Sequence, residues 1–152
     1  MKVTKKSGYG LVAMAELALK YDTTYLSTKE IAEKYELPQP FLEKIMRELK
    51  NAGLVEVKRG RGGGYELSNE PGDISIKKVI SVLEDGNLAP VNCLLPEEGK
   101  PCPLEDHCPT LGVWKVIYER FTEVLESFTL ADLVTYFDEG KVTEESGGPT
   151  WS

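Results

Sequence analysis

Small and apolar positions recur along the chain with a period that changes, and the changes mark its elements. Across residues 9–21 (Tyr-Gly-Leu-Val-Ala-Met-Ala-Glu-Leu-Ala-Leu-Lys-Tyr) they fall at helical spacing, which predicts a largely buried first helix. Ser27-Thr28-Lys29-Glu30 has the form of a capping box and opens a short second helix through Ile31, Ala32 and Tyr35. Pro38 disfavours helical geometry at Leu37 and ends that helix. Pro40 suits a first helical turn, so a third helix is expected from Pro40 to Ala52, stopping at Gly53. In it Phe41, Leu42, Ile45, Met46 and Leu49 form one stripe, while Gln39, Glu43, Lys44, Arg47 and Lys50 point elsewhere. The period then drops to two at Leu54–Lys58 and Tyr65–Leu67, which predicts a β-hairpin around Arg59-Gly-Arg-Gly-Gly-Gly64. Helical spacing returns at Ser75–Leu83 and at Leu111–Ser127. Thr129 then caps a last short helix through Leu130, Leu133, Val134 and Phe137.

These elements predict a mainly α fold with a small β-hairpin. Two short helices joined by a tight turn, the second presenting polar and basic side chains, have helix-turn-helix logic, and a hairpin directly behind them is a wing. Lys44 and Arg47 then face a nucleic acid from the helix, and Lys58, Arg59 and Arg61 from the wing tip. The wing glycines would let backbone come close to a phosphodiester. No helix N-terminus follows those glycines to receive a pyrophosphate, so they do not read as a nucleotide-binding loop. The winged helix-turn-helix is assigned to residues 1–70. Residues 71–137 take a cysteine loop and dimerisation helices. Residues 138–152 are expected to be a disordered tail whose Gly-Gly-Pro-Thr-Trp-Ser ending resembles an expression-tag remnant.

The long helix has Val113, Trp114, Val116, Ile117, Phe121, Val124 and Leu125 on one side, more apolar surface than one small winged-helix domain needs. A homodimer seam and burial inside the monomer both fit that pattern. Readers of palindromic DNA are usually dimers, which favours the seam.

Charge changes the picture next. The 152 residues carry a net charge of −7, which by itself argues against a nucleic-acid partner. Residues 1–68, however, have 12 Lys+Arg against 9 Asp+Glu, and residues 69–152 have 6 against 16. The first part is therefore basic, and it can face phosphate while the acidic remainder stays clear. No apolar run is long enough to cross a bilayer and the start lacks a secretory signal, so no membrane is expected. Free thiols without an export signal point to the cytoplasm. An enzyme is not expected, because no nucleophile–base pair, phosphate loop or carboxylate pair stands on a defined element.

The only cysteines, Cys93, Cys102 and Cys108, lie within one Pro- and Gly-studded loop spanning about Gly86 to Pro109. An odd number of thiols there makes a poor disulfide framework, and a soft metal centre would supply the missing order. Three cysteines plus His107 would also suffice for zinc, and the same thiols could answer to oxidation.

The opening Met-Lys-Val-Thr-Lys-Lys-Ser-Gly-Tyr-Gly-Leu-Val-Ala-Met resembles the first helix of the IscR-type iron–sulfur regulators of the Rrf2 family. Phe41-Leu42-Glu43-Lys44-Ile45, Leu49 to Val55 and, most specifically, Arg59-Gly-Arg-Gly-Gly-Gly-Tyr65 resemble them too, a likeness covering roughly Met1 to Leu133. The resemblance implies a homodimeric transcription regulator that binds double-stranded promoter DNA, represses cluster-assembly genes and meets the cluster-assembly machinery transiently. Cys93, Cys102 and Cys108 would hold its iron–sulfur cluster, [2Fe–2S] in preference to [4Fe–4S].

By position, Glu43 matches the family's base-reading residue and Arg59 the wing residue that enters the minor groove. Gln39 and Pro40 match a second contact region, where Pro40 brings no side-chain donor. The family's two-iron members place a histidine ligand three residues after the last cysteine, where this chain has Leu111. Some four-iron members place an acid near the start of the first helix, where it has Gly8. His107, Glu105, Asp106, an acid from elsewhere or a small exogenous ligand remain as candidate fourth ligands.

Overall fold

The computed structural model describes residues 3–95, 102–104 and 106–144, the last four as backbone only. Helix α1 spans Lys5–Leu19. It begins four residues ahead of the apolar pattern because Thr4 caps it, its hydroxyl accepting from the Ser7 amide at 3.3 Å. Helix α2 spans Thr28–Tyr35, and its capping box closes both ways: Glu30 N to Ser27 Oγ is 3.1 Å and Ser27 N to Glu30 Oε2 is 2.7 Å. It stops earlier than Pro38 demands. Glu36 already takes the left-handed conformation at φ 54°. Helix α3 spans Gln39–Asn51 behind Pro38 and ends as expected, with Gly53 at φ 77°.

The α3 stripe fills the core. Leu42, Ile45, Met46 and Leu49 are fully buried against Ala13, Met14 and Leu17 of α1 and Ile31 of α2. Strands β1 (Val55–Lys58) and β2 (Gly64–Leu67) pair antiparallel, with Val55 opposite Leu67 and Lys58 opposite Gly64. The hairpin has a third neighbour that periodicity could not reveal. Leu26 pairs with Tyr65 through two backbone bonds of 2.9 and 2.7 Å, tying the wing to the segment ahead of α2. Gly64 makes that crossing possible: a Cβ there would lie 2.5 Å from the carbonyl carbon of Leu26. At this position the glycine serves the protein's own backbone contact.

Helix α4 (Ile76–Leu83) packs on α1 and α3. Its Leu83 presses so closely on α1 that a Cβ on Gly10 would lie 2.2 Å from Leu83 Cδ1. Ile74, Val79, Leu83 and Leu130 join the same core as the helix-turn-helix, so the part beyond residue 70 is built on it. A 3₁₀ turn, Asn92–Leu94, lies in the cysteine stretch.

Helix α5 (Leu111–Ser127) buries none of its residues. Val113, Val116 and Val124 are 62, 52 and 53 % exposed, whereas Trp114, Phe121 and Leu125 are half-buried, so the monomer covers one part of the stripe and leaves the other bare. Backbone bonds from Ile76 N to Phe128 O (2.8 Å) and Leu130 N to Ile74 O (3.0 Å) fix the corner into α6. That helix, Leu130–Glu144, packs on α1 and runs seven residues past Phe137, where the apolar pattern ends. Thr129 and Asp132 cap its start reciprocally, and no proline interrupts it. The rest of the expected tail, 145–152, lies outside the described residues.

Candidate DNA-reading face and cysteine pocket

Burial of the α3 stripe turns the opposite face outward. Pro40, Glu43, Lys44, Arg47 and Lys50 are exposed on it and Gln39 is half-buried at its first turn. Gln39 Nε2 donates to Glu43 Oε1 at 3.1 Å, which leaves Glu43 Oε2 to accept from outside. Pro38 offers no side-chain cap, so the first-turn amides of α3 are met by no side chain and the positive end of the helix faces outward. On the wing, Lys58, Arg59 and Arg61 are all exposed, and Lys58 Nζ sits 5.2 Å from the centroid of the Tyr25 ring. Among the described residues Lys44, Arg47, Lys50, Arg59 and Arg61 form no salt bridge. Five unpaired cations on one helix face and one hairpin tip are what a phosphate backbone selects.

The helix-turn-helix hangs from α1 by a buried acid. Glu16, only 3 % exposed, accepts from Lys34 Nζ at 2.8 Å and Tyr35 Oη at 2.5 Å, both on α2. Burial pushes its carboxyl up, but the bonds from Lys34 and Tyr35 and the charge of Lys34 outweigh that and hold it below the usual carboxylate value. The other end of α1 has a similar anchor. Glu84 Oε1, just past α4, accepts from Thr4 N (3.1 Å), Thr4 Oγ1 (2.6 Å) and Ser7 Oγ (2.5 Å).

The three cysteines converge. Cys93 comes from the Asn92–Leu94 turn, Cys102 from the loop and Cys108 from the approach to α5, and together they line one pocket of about 150 Å³. Leu94, Leu111 and Lys115 complete its wall. Cys108 Sγ lies 3.3 Å from Thr110 Oγ1. That hydroxyl, with the backbone amides of Thr110 and Leu111, holds the Cys108 thiol below the usual thiol value against a smaller opposing push from burial. His107 is exposed and is not among the pocket-lining residues, and Asp106 is exposed as well. Glu105 lies outside the described residues. Gly8 has nothing within 4 Å of where a Cβ would stand.

Sequence reasoning missed Lys115, whose signal was available: it stands one helical turn after Leu111, on the face that meets the loop. No three His, Cys, Asp or Glu side chains among the described residues stand close enough together to hold one metal ion. Three thiols on one pocket are the soft donor set that an iron–sulfur cluster takes, so the residues present fit such a group by their chemistry.

A helix pair with an unpaired basic face, a hairpin wing and a long helix with exposed apolar residues define a winged-helix, DNA-binding transcription regulator, not an enzyme. The profile of the Rrf2 family, described as an iron-dependent transcriptional regulator, matches residues 3–136, so the chain belongs to that family. It is 40 % identical to the HTH-type transcriptional regulator slr0846 of Synechocystis sp. over 138 residues, 91 % of this chain and 89 % of that one. It is 41 % identical to the HTH-type transcriptional regulator CymR of Bacillus subtilis, over 91 % and 93 % of the two chains. Among solved structures, T. potens IscR superimposes with a TM-score of 0.69 at 34 % identity, over 99 % and 94 % of the two chains. The likeness thus extends to CymR as well as IscR. Membership of the family is established, and an IscR-type assignment is not. Neither the fold nor these relatives points to a cluster-assembly partner. No helix among the described residues is long and apolar enough to cross a membrane.

Proposed function

We propose that this chain is a cytoplasmic, dimeric repressor of iron–sulfur cluster assembly genes. Its hold on promoter DNA is set by a [2Fe–2S] cluster on Cys93, Cys102 and Cys108. The observation that carries the reading is the convergence of the three thiols on one pocket beside Lys115 and the amides that open α5. An anionic cluster on thiolate ligands is favoured by a nearby ammonium and by amide donors to the sulfurs. When bound, such a cluster supplies a bridge that iron shortage, oxygen or nitric oxide can remove.

The chain's own residues do the rest. Cys93 follows α4 and Cys108 precedes α5, so tying them together fixes the end of one helix against the start of the other. Helix α4 packs on α1 and α3, and its position therefore bears on the recognition helix. Glu43 accepts from the amino group of cytosine, Lys44 and Arg47 meet phosphates, and Arg59 enters the minor groove with Lys58 and Arg61 beside it. The exposed valines of α5 form the seam with a second copy, as dimeric regulators of the family need.

Oxygen-free purification tests this directly. The protein should be brown and contain iron and acid-labile sulfide, and the Cys93/Cys102/Cys108→Ala triple variant should lose both and change its promoter affinity. A variant that binds every site as the loaded protein does would sink the switch. The thiolate-favouring setting of Cys108 supports a second reading, a thiol sensor without a cluster. Colourless protein without iron, whose DNA binding responds to thiol oxidation, would establish that one instead.

A further inference from the structure

A second cleft lies on the other side of the Asn92–Leu94 turn. It has a volume of about 270 Å³, metabolite-sized beside the roughly 300 Å³ at which drug-sized pockets begin. Val3, Ile80 and Phe121 give it apolar walls, and Glu84, Asn87 and Asn92 give it polar ones. Among the described residues that line it none is a Lys, Arg or His, and Glu84 is the only charged one. The three bonds from Thr4 and Ser7 all go to Oε1, and among the described residues nothing donates to Oε2. Lys6, the nearby cation, is occupied by Glu48 at 2.6 Å.

We propose that this cleft is a binding site for a small organic ammonium ion with a short aliphatic body. The ammonium donates to Glu84 Oε2 and to the side-chain oxygens of Asn87 and Asn92, and the hydrocarbon lies against Val3, Ile80 and Phe121. One carboxylate is too little for a hard divalent cation, which gathers several oxygen ligands and has no use for apolar walls. Burial pushes the Glu84 carboxyl up, but the donors at the start of α1 outweigh it, and the group stays charged at neutral pH.

The site shares a wall with the thiols. Asn92 lines the cleft while Cys93 and Leu94, in the same turn, line the cysteine pocket. A ligand that holds this turn in one position would bias the other pocket through it. That coupling rests on the cluster reading, whereas binding itself does not.

Calorimetry at pH 6.5 with leucinamide as the probe tests the site, using 4-methylpentanamide as the same skeleton without the ammonium. The Cys93/Cys102/Cys108→Ala variant is titrated first, so the outcome is independent of any cluster. Saturable, roughly millimolar binding of leucinamide is expected, and about tenfold weaker binding of the neutral amide. Glu84→Gln should remove that preference. Because Glu84 also anchors α1, Ala89→Phe, which fills the cleft from its rim, provides the second test and should abolish binding with the circular dichroism spectrum unchanged. Equal affinity for both probes, no saturation with leucinamide, or undiminished binding to Ala89→Phe would overturn the proposal. So would binding seen only where the protein is monomeric, since the cleft would then be a seat for a second copy. In iron-loaded wild type, saturating leucinamide should change the rate of cluster loss several-fold. An unchanged rate removes the coupling and leaves the site.

Discussion

At the scale of single residues, two side chains and one missing side chain set the behaviour of whole segments. Cys108 differs from an ordinary thiol because Thr110 and the amides that open α5 favour its thiolate. Thr110→Val should therefore slow alkylation of Cys108 by iodoacetamide in the apoprotein at neutral pH. The pH profile of the reaction should move up toward that of a free thiol, read by peptide mass spectrometry. The amides remain in that variant, so the shift is partial. Gly64 is the opposite case, a residue needed for what it lacks. Gly64→Ala drives a methyl into the backbone at Leu26, and the wing has no room to yield. The substitution should cost more than about 1 kcal/mol in urea unfolding, beyond the usual expense of a glycine change at a positive φ. The wing glycines were visible in the sequence as a turn, but their purpose was not. A one-residue bridge leaves no periodic trace, so the contact that demands Gly64 emerges only when Leu26 is placed.

At the scale of elements, α1 is a strut anchored by a carboxylate near each end. Glu16 holds α2 through Lys34 and Tyr35, and Glu84 holds the start of α1 itself. Both carboxyls lie below the usual 4.5. A depressed acid contributes stability that is fully present above the unfolded value and is lost as pH falls through the lower folded one. The urea midpoint of the wild type should therefore hold steady down to about 4.5 and then fall. The gap between wild type and Glu16→Gln should close across the same window. At neutral pH that variant should cost toward the lower end of about 1–3 kcal/mol, because Lys34 is 54 % exposed and solvent screens its charge.

The helices themselves were largely legible, since α3 and α4 have apolar stripes at helical spacing and α2 has its capping box. Their ends were less so. Lys5 to Gly8 contribute to α1 without an apolar residue, and the buried Ser7 that justifies them bonds to Glu84, 77 positions away. Three thiols in one loop are legible in the sequence, whereas the pocket they share and Lys115 in its wall are not. A loop without periodicity encodes its shape only through the elements that hold its two ends.

At the scale of the whole molecule, a basic helix-turn-helix and an acidic remainder share one core, and the exposed valines of α5 are the part left over. Val116→Glu puts a charge among them without touching the core. Sedimentation should show a monomer, and affinity for a two-half-site operator should fall toward that for a single half-site. A variant that stays dimeric would move the seam elsewhere. The bond between Leu26 and Tyr65 has a consequence for the operator itself. It ties the hairpin to the segment ahead of α2, which packs on α3, so in the proposed reading the helix and wing form one caliper whose two groove contacts in a half-site move together. Lengthening the DNA between them by one base pair would rotate one groove away from its reader, and the caliper would lose its grip on both jaws together.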